Sequence, residues 1–593
     1  METLVVIVIG IVVITIVTAI GQRVNIAAPL VLVAVGLLTA LTPFIPNLRP
    51  VDPEIILIGV LPPLLYSSAI NLPAIEFRRD FRPIAGLSVF LVIISSVVLG
   101  LFFSWAIPGL PLAVGVALGA ILSPTDAVAT SIVKRVGLSP RVVTMLEGES
   151  LLNDATALVL LRTATIAIAG SFSMGLAIGT FLWGVLVAIV IGGVIGWLTL
   201  RLRAWIGNAA ANTALSFAIP FIAYLPTEAL GGSGLVSAVV AGVVIGQGAA
   251  RWLTPEQRIS DALNWRTIEL ILEGGVFLLM GLELTDVVTK NLTEHDGLWH
   301  GTWLALAALA ALAIIVLVRA VYVTLLLWGQ GRRARRYARF DLDRIGTRLD
   351  ALESGEPVTW ERDGARTRTS RRRTRALPRD PEARARRIGD IRRRVTRLAA
   401  DLDYYRSSPL GWKHGTVIVW AGMRGVVTLA AAQTLPIDTT HRPLLVYIAF
   451  AVAVVSLLLQ GFTLPPLVRA LRIRRAPEAN EGSDDEALQD ELREAGAAVL
   501  RNDRLARRDG TPFSPDMLQR VGARLAEPPD PDMTGELRER LELRLVMIEA
   551  MRRRLVEVTS TGRYSSALLR RTLAELDADQ LSLELKIAGN TDD

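Results

Sequence analysis

A few ionisable side chains stand inside stretches that otherwise carry no charge. A charge at the centre of a bilayer costs from about 2.5 to more than 10 kcal/mol, so each one needs a partner, a wet cavity or a task. One such stretch reads Leu122-Ser123-Pro124-Thr125-Asp126-Ala127-Val128. Pro124 removes a backbone donor and disfavours helix at Ser123, which predicts a helix broken near mid-membrane with carbonyls released toward a cation. The next charged stretch reads Glu147-Gly148-Glu149-Ser150-Leu151-Leu152-Asn153-Asp154. Ser150 and Asp154 lie four apart on one helical face, and Glu149 and Asn153 lie on the neighbouring face. A hydroxyl and a carboxylate therefore look into the same cavity. Oxygen ligands with one ionised carboxylate can replace part of the hydration shell of a hard monovalent cation, and a proton competes for that same carboxylate.

Further along, Arg319 follows an uncharged apolar run, and Gly422-Met423-Arg424-Gly425 places two glycines around an arginine, the pattern of a second interrupted helix. Each observation has a plainer alternative. Asp126 or Asp154 becomes a helix-terminal carboxylate if its span ends one turn earlier, and Arg319 or Arg424 can snorkel from a span end. Arg162, Glu269 and Glu273 read equally well as structural ion pairs or interfacial charges. Interrupted spans in both halves together with midplane carboxylates point to an alternating-access transporter built from inverted repeats.

Other chemistries find little support. The chain has no cysteine, which excludes disulfides, thiolate metal sites and cysteine catalysis. Its four histidines, His295, His300, His414 and His441, form no H-E-x-x-H pattern. A nucleophile elbow, a P-loop and a T-V-G-Y-G filter are also missing, so neither an enzyme nor a potassium-type channel is expected, and no cofactor is implied.

The elements that position these residues are apolar blocks. Of 593 residues 51% are hydrophobic, and mean hydropathy is +0.44. Residues 4 to 20, 84 to 107, 302 to 318 and 443 to 468 each run without an acidic or basic side chain. That is close to the roughly 20 residues a helix needs to cross about 30 Å of hydrocarbon. The first block lacks a basic leader and a small-residue cleavage site, so it reads as a retained span rather than a signal peptide. The expected fold is an all-α polytopic membrane protein of about thirteen transmembrane helices. Their starts fall near 4, 27, 54, 83, 112, 141, 174, 212, 232, 263, 302, 414 and 443, the span at 212 to 226 being the weakest.

Alternate loops separate by charge. One set carries Arg23, Arg78, Arg79, Arg82, Lys134, Arg135, Arg141, Arg201, Arg203, Arg251, Arg258 and Arg266, while the other carries Arg49, Lys290 and Arg442. Because cytoplasmic loops hold the basic excess, the N-terminus is expected outside and the C-terminus in the cytoplasm. The organisation then runs as residues 1–330 with eleven helices, 331–407 as a cytoplasmic loop, 408–472 with two more helices, and 473–593 as a helical regulatory tail. Residues 331 to 407 hold 23 arginines against 12 acidic residues. An apolar face at Ile388, Ile391, Val395, Leu398 and Leu402 makes this loop a helical hairpin against the anionic inner leaflet, not a nucleic-acid binder. The tail shows helical spacing at Leu537, Leu541, Leu545, Ile548, Met551 and Leu555.

Over roughly residues 1 to 470 the sequence resembles the electroneutral sodium/proton exchanger branch of the monovalent cation:proton antiporters. The matching motifs are L-P-P-L-L at 61 to 65, S-P-T-D-A-V-A at 123 to 129, G-E-S-L-L-N-D-A at 148 to 155, L-M-G-L-E-L at 279 to 284 and G-M-R-G at 422 to 425. The resemblance implies a homodimer in a bacterial cytoplasmic membrane, with two discontinuous helices crossing in each protomer. It makes Asp154 the carboxylate that binds sodium or a proton in turn and Asn153 its neutral neighbour. Thr125, Asp126 and Ser150 complete or support the site, Glu149 pairs with Arg319, and Arg424 counters the half-helix dipoles beside Pro124. Sodium, with lithium beside it, is then the exchanged ion, with potassium/proton exchange as the alternative. The chain departs from the pattern at Tyr66-Ser67-Ser68, where many bacterial relatives carry an acidic residue after the L-P-P-L-L run.

Overall fold

Inside hydrocarbon the backbone has no partner but itself, so long apolar runs must become helices. The computed structural model describes residues 2–24, 27–41, 54–126, 128–169, 174–294, 298–337, 410–436, 438–473, 481–500, 505–507, 510–518 and 534–589, with isolated positions between 389 and 405. Among them the regular secondary structure is all helical, apart from one isolated bridge between Ala506 and Pro512. The expected all-α architecture is the one observed.

The helices are α1 (Glu2–Val24), α2 (Ala28–Ala40), α3 (Ile55–Ile70), α4 (Phe81–Ala106), α5 (Leu112–Leu122), α6 (Val128–Val136), α7 (Pro140–Ala169), α8 (Met174–Trp205) and α9 (Ala209–Ala229). They continue with α10 (Gly234–Trp252), α11 (Pro255–Glu294), α12 (Leu298–Tyr337), α13 (Trp412–Trp420), α14 (Val426–Gln433) and α15 (Arg442–Ala470), and then α16 (Glu481–Leu500), α17 (Thr534–Thr561) and α18 (Ser566–Gly589). Among the described residues seven helices, α4, α7, α8, α9, α10, α12 and α15, are long and apolar enough to cross a membrane. Shorter apolar helices accompany them in α1, α2, α3 and α5. The stretch read as the weakest span, near 212, forms the continuous helix α9 with Pro220 and Pro226 inside it.

Residues 1–326, 410–479 and 574–593 make one compact unit. Small residues set how closely its helices approach. Gly119 of α5 lies against α4 so tightly that a methyl group there would overlap the Ser96 carbonyl. Polar anchors join the helix ends. Arg141, at the start of α7, grips Asp80 before α4 with both nitrogens at 2.9 Å, and both side chains are buried. Arg203 of α8 is fully buried and pairs with Asp261 of α11 and Asn212 of α9. Near them Trp265 of α11 donates its indole N–H to Ser216 at 2.7 Å and packs against Tyr66 of α3 with tilted rings whose centroids are 4.9 Å apart. In the same unit Arg258 Nε donates to the Asp577 carboxylate of α18 at 2.8 Å, which ties the final stretch of the chain to the start of α11.

Residues 327–409 and 480–573 form the second unit. Here α16 and α17 pack together, burying Leu488, Leu492, Leu541, Leu545, Ile548 and Leu555. Phe513, Met517 and Leu543 form a small core beside them. The apolar face expected at Ile388, Ile391, Val395, Leu398 and Leu402 lies outside the described residues.

Candidate functional site

Two helices break at the same place in space. α5 stops at Leu122 and α6 begins at Val128; α13 stops at Trp420 and α14 begins at Val426. The two gaps cross in contact: the Asp126 amide donates to the Met423 carbonyl at 2.8 Å. Arg424, 2% exposed, donates through Nη1 to the carbonyls of Ser123 and Pro124, the latter at 2.7 Å. These carbonyls close the C-terminal end of α5, where the helix dipole is negative, so the guanidinium stands where a cation is most favoured. The Arg424 amide in turn donates to Ser456 Oγ at 3.0 Å, and Ser456 donates to Gln460 at 3.0 Å. Gly425 explains the glycine of the motif, because a methyl group there would run into the Asp126 carboxylate.

α7 passes this crossing and presents two different faces to it. On one face Asn153 Nδ2 donates to Thr125 Oγ1 at 2.6 Å, and Thr125 donates to Glu149 Oε1 at 3.4 Å. Glu149 receives the Arg319 guanidinium as a fork, with Nη2 to Oε2 at 2.8 Å, while Arg319 Nε donates to the Ile418 carbonyl at 2.9 Å. Ser88 adds a bond to the Glu149 carbonyl at 3.3 Å. The run from Asn153 to Ile418 thus links α7, the α5–α6 gap, α12 and α13 in one buried network. On the other face stand Ser150 and Asp154, 9% and 7% exposed. Asp154 feels the negative charge of Asp126 and the positive charge of Arg424. Among the described residues no hydrogen bond contributes to the electrostatics of its carboxylate, and Asn153 Oδ1 is buried without a donor.

Of the sequence candidates, Pro124, Thr125, Asp126, Glu149, Asn153, Asp154, Arg319 and Arg424 are gathered here, with Ser150 one turn away from Asp154. The ambiguous charges separate. Arg162 pairs with Glu228 at 3.0 Å in a half-exposed position away from the crossing. Glu269 accepts from Ser67 Oγ at 3.1 Å, and Glu273, one turn along α11, feels the charges of Asp126 and Glu269. A carboxylate from α11 therefore stands at Ser67, in the stretch of α3 where the resemblance led to the expectation of an acidic residue.

Sequence reading missed the hydroxyl cluster behind the break. Ser123 Oγ lies 2.8 Å from Ser95 Oγ and 2.9 Å from Ser96 Oγ. Ser456 and Gln460 were missed too. The signal was present in both cases as polar residues inside uncharged spans, with Ser95 adjacent to Ser96 and Ser456 four residues from Gln460.

The sequence pattern of the family described as "Sodium/hydrogen exchanger, transmembrane" matches residues 10–341 and 395–470. An Escherichia coli (strain K12) protein described as an uncharacterized Na(+)/H(+) exchanger is 36% identical over 281 residues, which is 46% of this chain and 51% of that protein. The chain thus spans about half the length of that relative. A Mycobacterium tuberculosis (strain H37Rv) protein described in the same words is 27% identical over 589 residues, 95% of this chain and 93% of that one. Among solved structures, the sodium proton antiporter of Methanocaldococcus jannaschii superposes with a TM-score of 0.55 over 79% of this chain and 99% of its own, at 17% identity. That likeness is one of fold.

Proposed function

We propose that this chain, which belongs to the sodium/hydrogen exchanger family, exchanges sodium or lithium for protons at Asp154 by alternating access. The observation that carries this reading is the contrast on α7: Glu149 is held by a fixed guanidinium, while the adjacent Asp154 faces the helix crossing with no hydrogen-bond donor among the described residues. A carboxylate in that position can take either a cation or a proton. Thr125, Ser150, the Asn153 oxygen and Asp126 supply the neutral and charged oxygens around it. An empty site strands a negative charge in low dielectric, so the sodium-bound and protonated forms are the ones able to pass the apolar barrier. Coupling follows from that exclusion, with no ATP required.

Arg424 compensates the broken helix ends, so that the charge at the site is set by the carboxylates and their cargo. Asn153, neutral beside Asp154, suits a one-for-one, electroneutral cycle. The protein acts as a homodimer of multi-pass protomers, the apolar outer faces of α1 and α8 being available to lipid and partner, with the N-terminus outside and the tail in the cytoplasm. Proton and sodium homeostasis is the role such a cycle serves.

The test is flux in proteoliposomes with sodium, lithium and potassium compared side by side. Sodium-driven proton movement that continues at a clamped membrane potential is the expected result. Potassium supporting the same rate as sodium would move the assignment to the potassium/proton alternative. Cation flux that persists without a counter-moving proton would overturn exchange altogether.

A further inference from the structure

The start of α2, the end of α6 and the end of α15 meet at one end of the bundle. α1 stops at Val24 and α2 restarts at Ala28, α6 ends at Val136, and α15 ends at Ala470. Between them lies a half-open cavity of about 630 Å³. Its lining divides into two kinds of residue. Leu30, Ile132 and Phe462 belong to an apolar wall, and Arg135, Arg469 and Arg472 bring three guanidiniums, with no carboxylate among the lining residues. Phe462 is 58% exposed, a large apolar surface left open beside the charges. Arg469 and Arg472 follow one another across the end of α15, where Arg472 turns the chain in the left-handed region at φ 45°.

We propose that this cavity binds an anionic phospholipid, with its phosphate at Arg135, Arg469 and Arg472 and an acyl chain along the Leu30–Phe462 wall. The charge argues against the other use of a cavity in an exchanger, since Arg469 and Arg472 stand in the lining where a vestibule would need to attract a cation. The wall excludes a small soluble anion, which would use the basic rim and leave the apolar surface bare to water. A basic pocket between transmembrane helices at the cytoplasmic surface, next to an anionic leaflet, is where lipid headgroups are recognised. Arg135 sits in the basic set of loops that orientates the chain, which puts the cavity on that surface. The site also joins parts that carry the mechanism, because α6 is the second half of the helix broken at Asp126 and α15 holds Ser456 against Arg424. The inference rests on the membrane reading above but not on the identity of the transported ion.

The test is direct lipid binding to the purified full chain in detergent, read by native mass spectrometry with phosphatidylglycerol, phosphatidylcholine, inorganic phosphate and glycerol 3-phosphate. Wild-type protein is expected to retain phosphatidylglycerol in preference to phosphatidylcholine, and neither soluble phosphate should displace it. Arg135→Gln, Arg469→Gln and Arg472→Gln should each weaken that binding by about fivefold, from a contribution of about 1 kcal/mol per basic residue. The three positions are exposed, so the single variants keep the test open if the triple variant does not fold. Unchanged phosphatidylglycerol affinity across the three single variants overturns the proposal, as does equal retention of phosphatidylcholine. Displacement by inorganic phosphate would reassign the cavity to a soluble anion. Because binding is read without transport, loss of exchange activity alone would leave this result standing.

Discussion

Glu149 and Asp154 are two buried carboxylates on one helix, five residues apart, in opposite situations. Glu149 is saturated: a guanidinium fork from Arg319, the Thr125 hydroxyl and a network reaching Ile418 hold it. Asp154 is left with electrostatic neighbours and no donor among the described residues. The difference teaches how a membrane protein can set the same functional group to two tasks: in the function proposed here Glu149 is scaffold and Asp154 the exchange site. A carboxylate whose oxygens are filled by a fixed cation cannot exchange a mobile one. The pair does the holding, so that the neighbour can remain available.

The sharpest way to break this comparison is Asp154→Asn. The residue becomes permanently neutral with little change in shape, so sodium-driven proton movement in proteoliposomes should vanish while gel filtration still shows folded protein. Retained exchange by the folded variant would transfer the carrier role to another carboxylate, Asp126 first.

Next comes the scaffold. Glu149→Gln and Arg319→Ala each leave a buried charge without its partner, a loss of about 3 to 5 kcal/mol for a buried pair. Each variant should therefore express poorly and melt early, and the double variant should be less damaged than the two losses added. A denaturation cycle in detergent that gives zero coupling would mean Glu149 serves the ion path and not the frame.

A smaller effect tests the crossing itself. Gly425→Ala forces a methyl group against the Asp126 carboxylate, an overpacking that costs about 1 to 3 kcal/mol. Exchange should fall more than stability does, because the displaced group belongs to the proposed site. Equal, mild losses in both would show that the crossing yields without consequence.

The smallest effect is expected at Arg162. Its pairing with Glu228 has the same chemistry as Glu149 with Arg319, but the two side chains are 50% and 34% exposed. Water and salt screen such a pair, so Arg162→Ala should cost about 1 kcal/mol or less in the same unfolding assay and leave exchange intact. A cost equal to that of Arg319→Ala would erase the distinction between buried and exposed charge on which the comparison depends.

Much of the frame was legible in the residues because helix in a membrane is dictated locally. Apolar length announced α4, α12 and α15, and Pro124 with the glycines at 422 and 425 announced the two breaks. The motifs also named most of the residues that meet at the crossing, since a buried charge is costly enough to stand out in a single line of sequence. Legibility failed where a residue's role depends on its neighbours from elsewhere in the chain. Glu269, Glu273 and Arg162 all read as ambiguous charges, and only packing distinguishes them. Arg162 turns to Glu228 near the surface, while Glu269 meets Ser67 from a helix about two hundred positions away.

By itself, then, the amino-acid sequence determined that the chain is helical, where its helices must break and which side chains are too costly to be accidental, because hydrophobic length, proline and charge act within a few residues. Tertiary structure alone decided that the breaks touch, through the Asp126 amide and the Met423 carbonyl, and that Arg424 closes α5 from three hundred residues away. It also decided which of two neighbouring carboxylates is filled and which has no donor among the described residues, since a partner such as Arg319 reaches α7 only when α12 packs beside it.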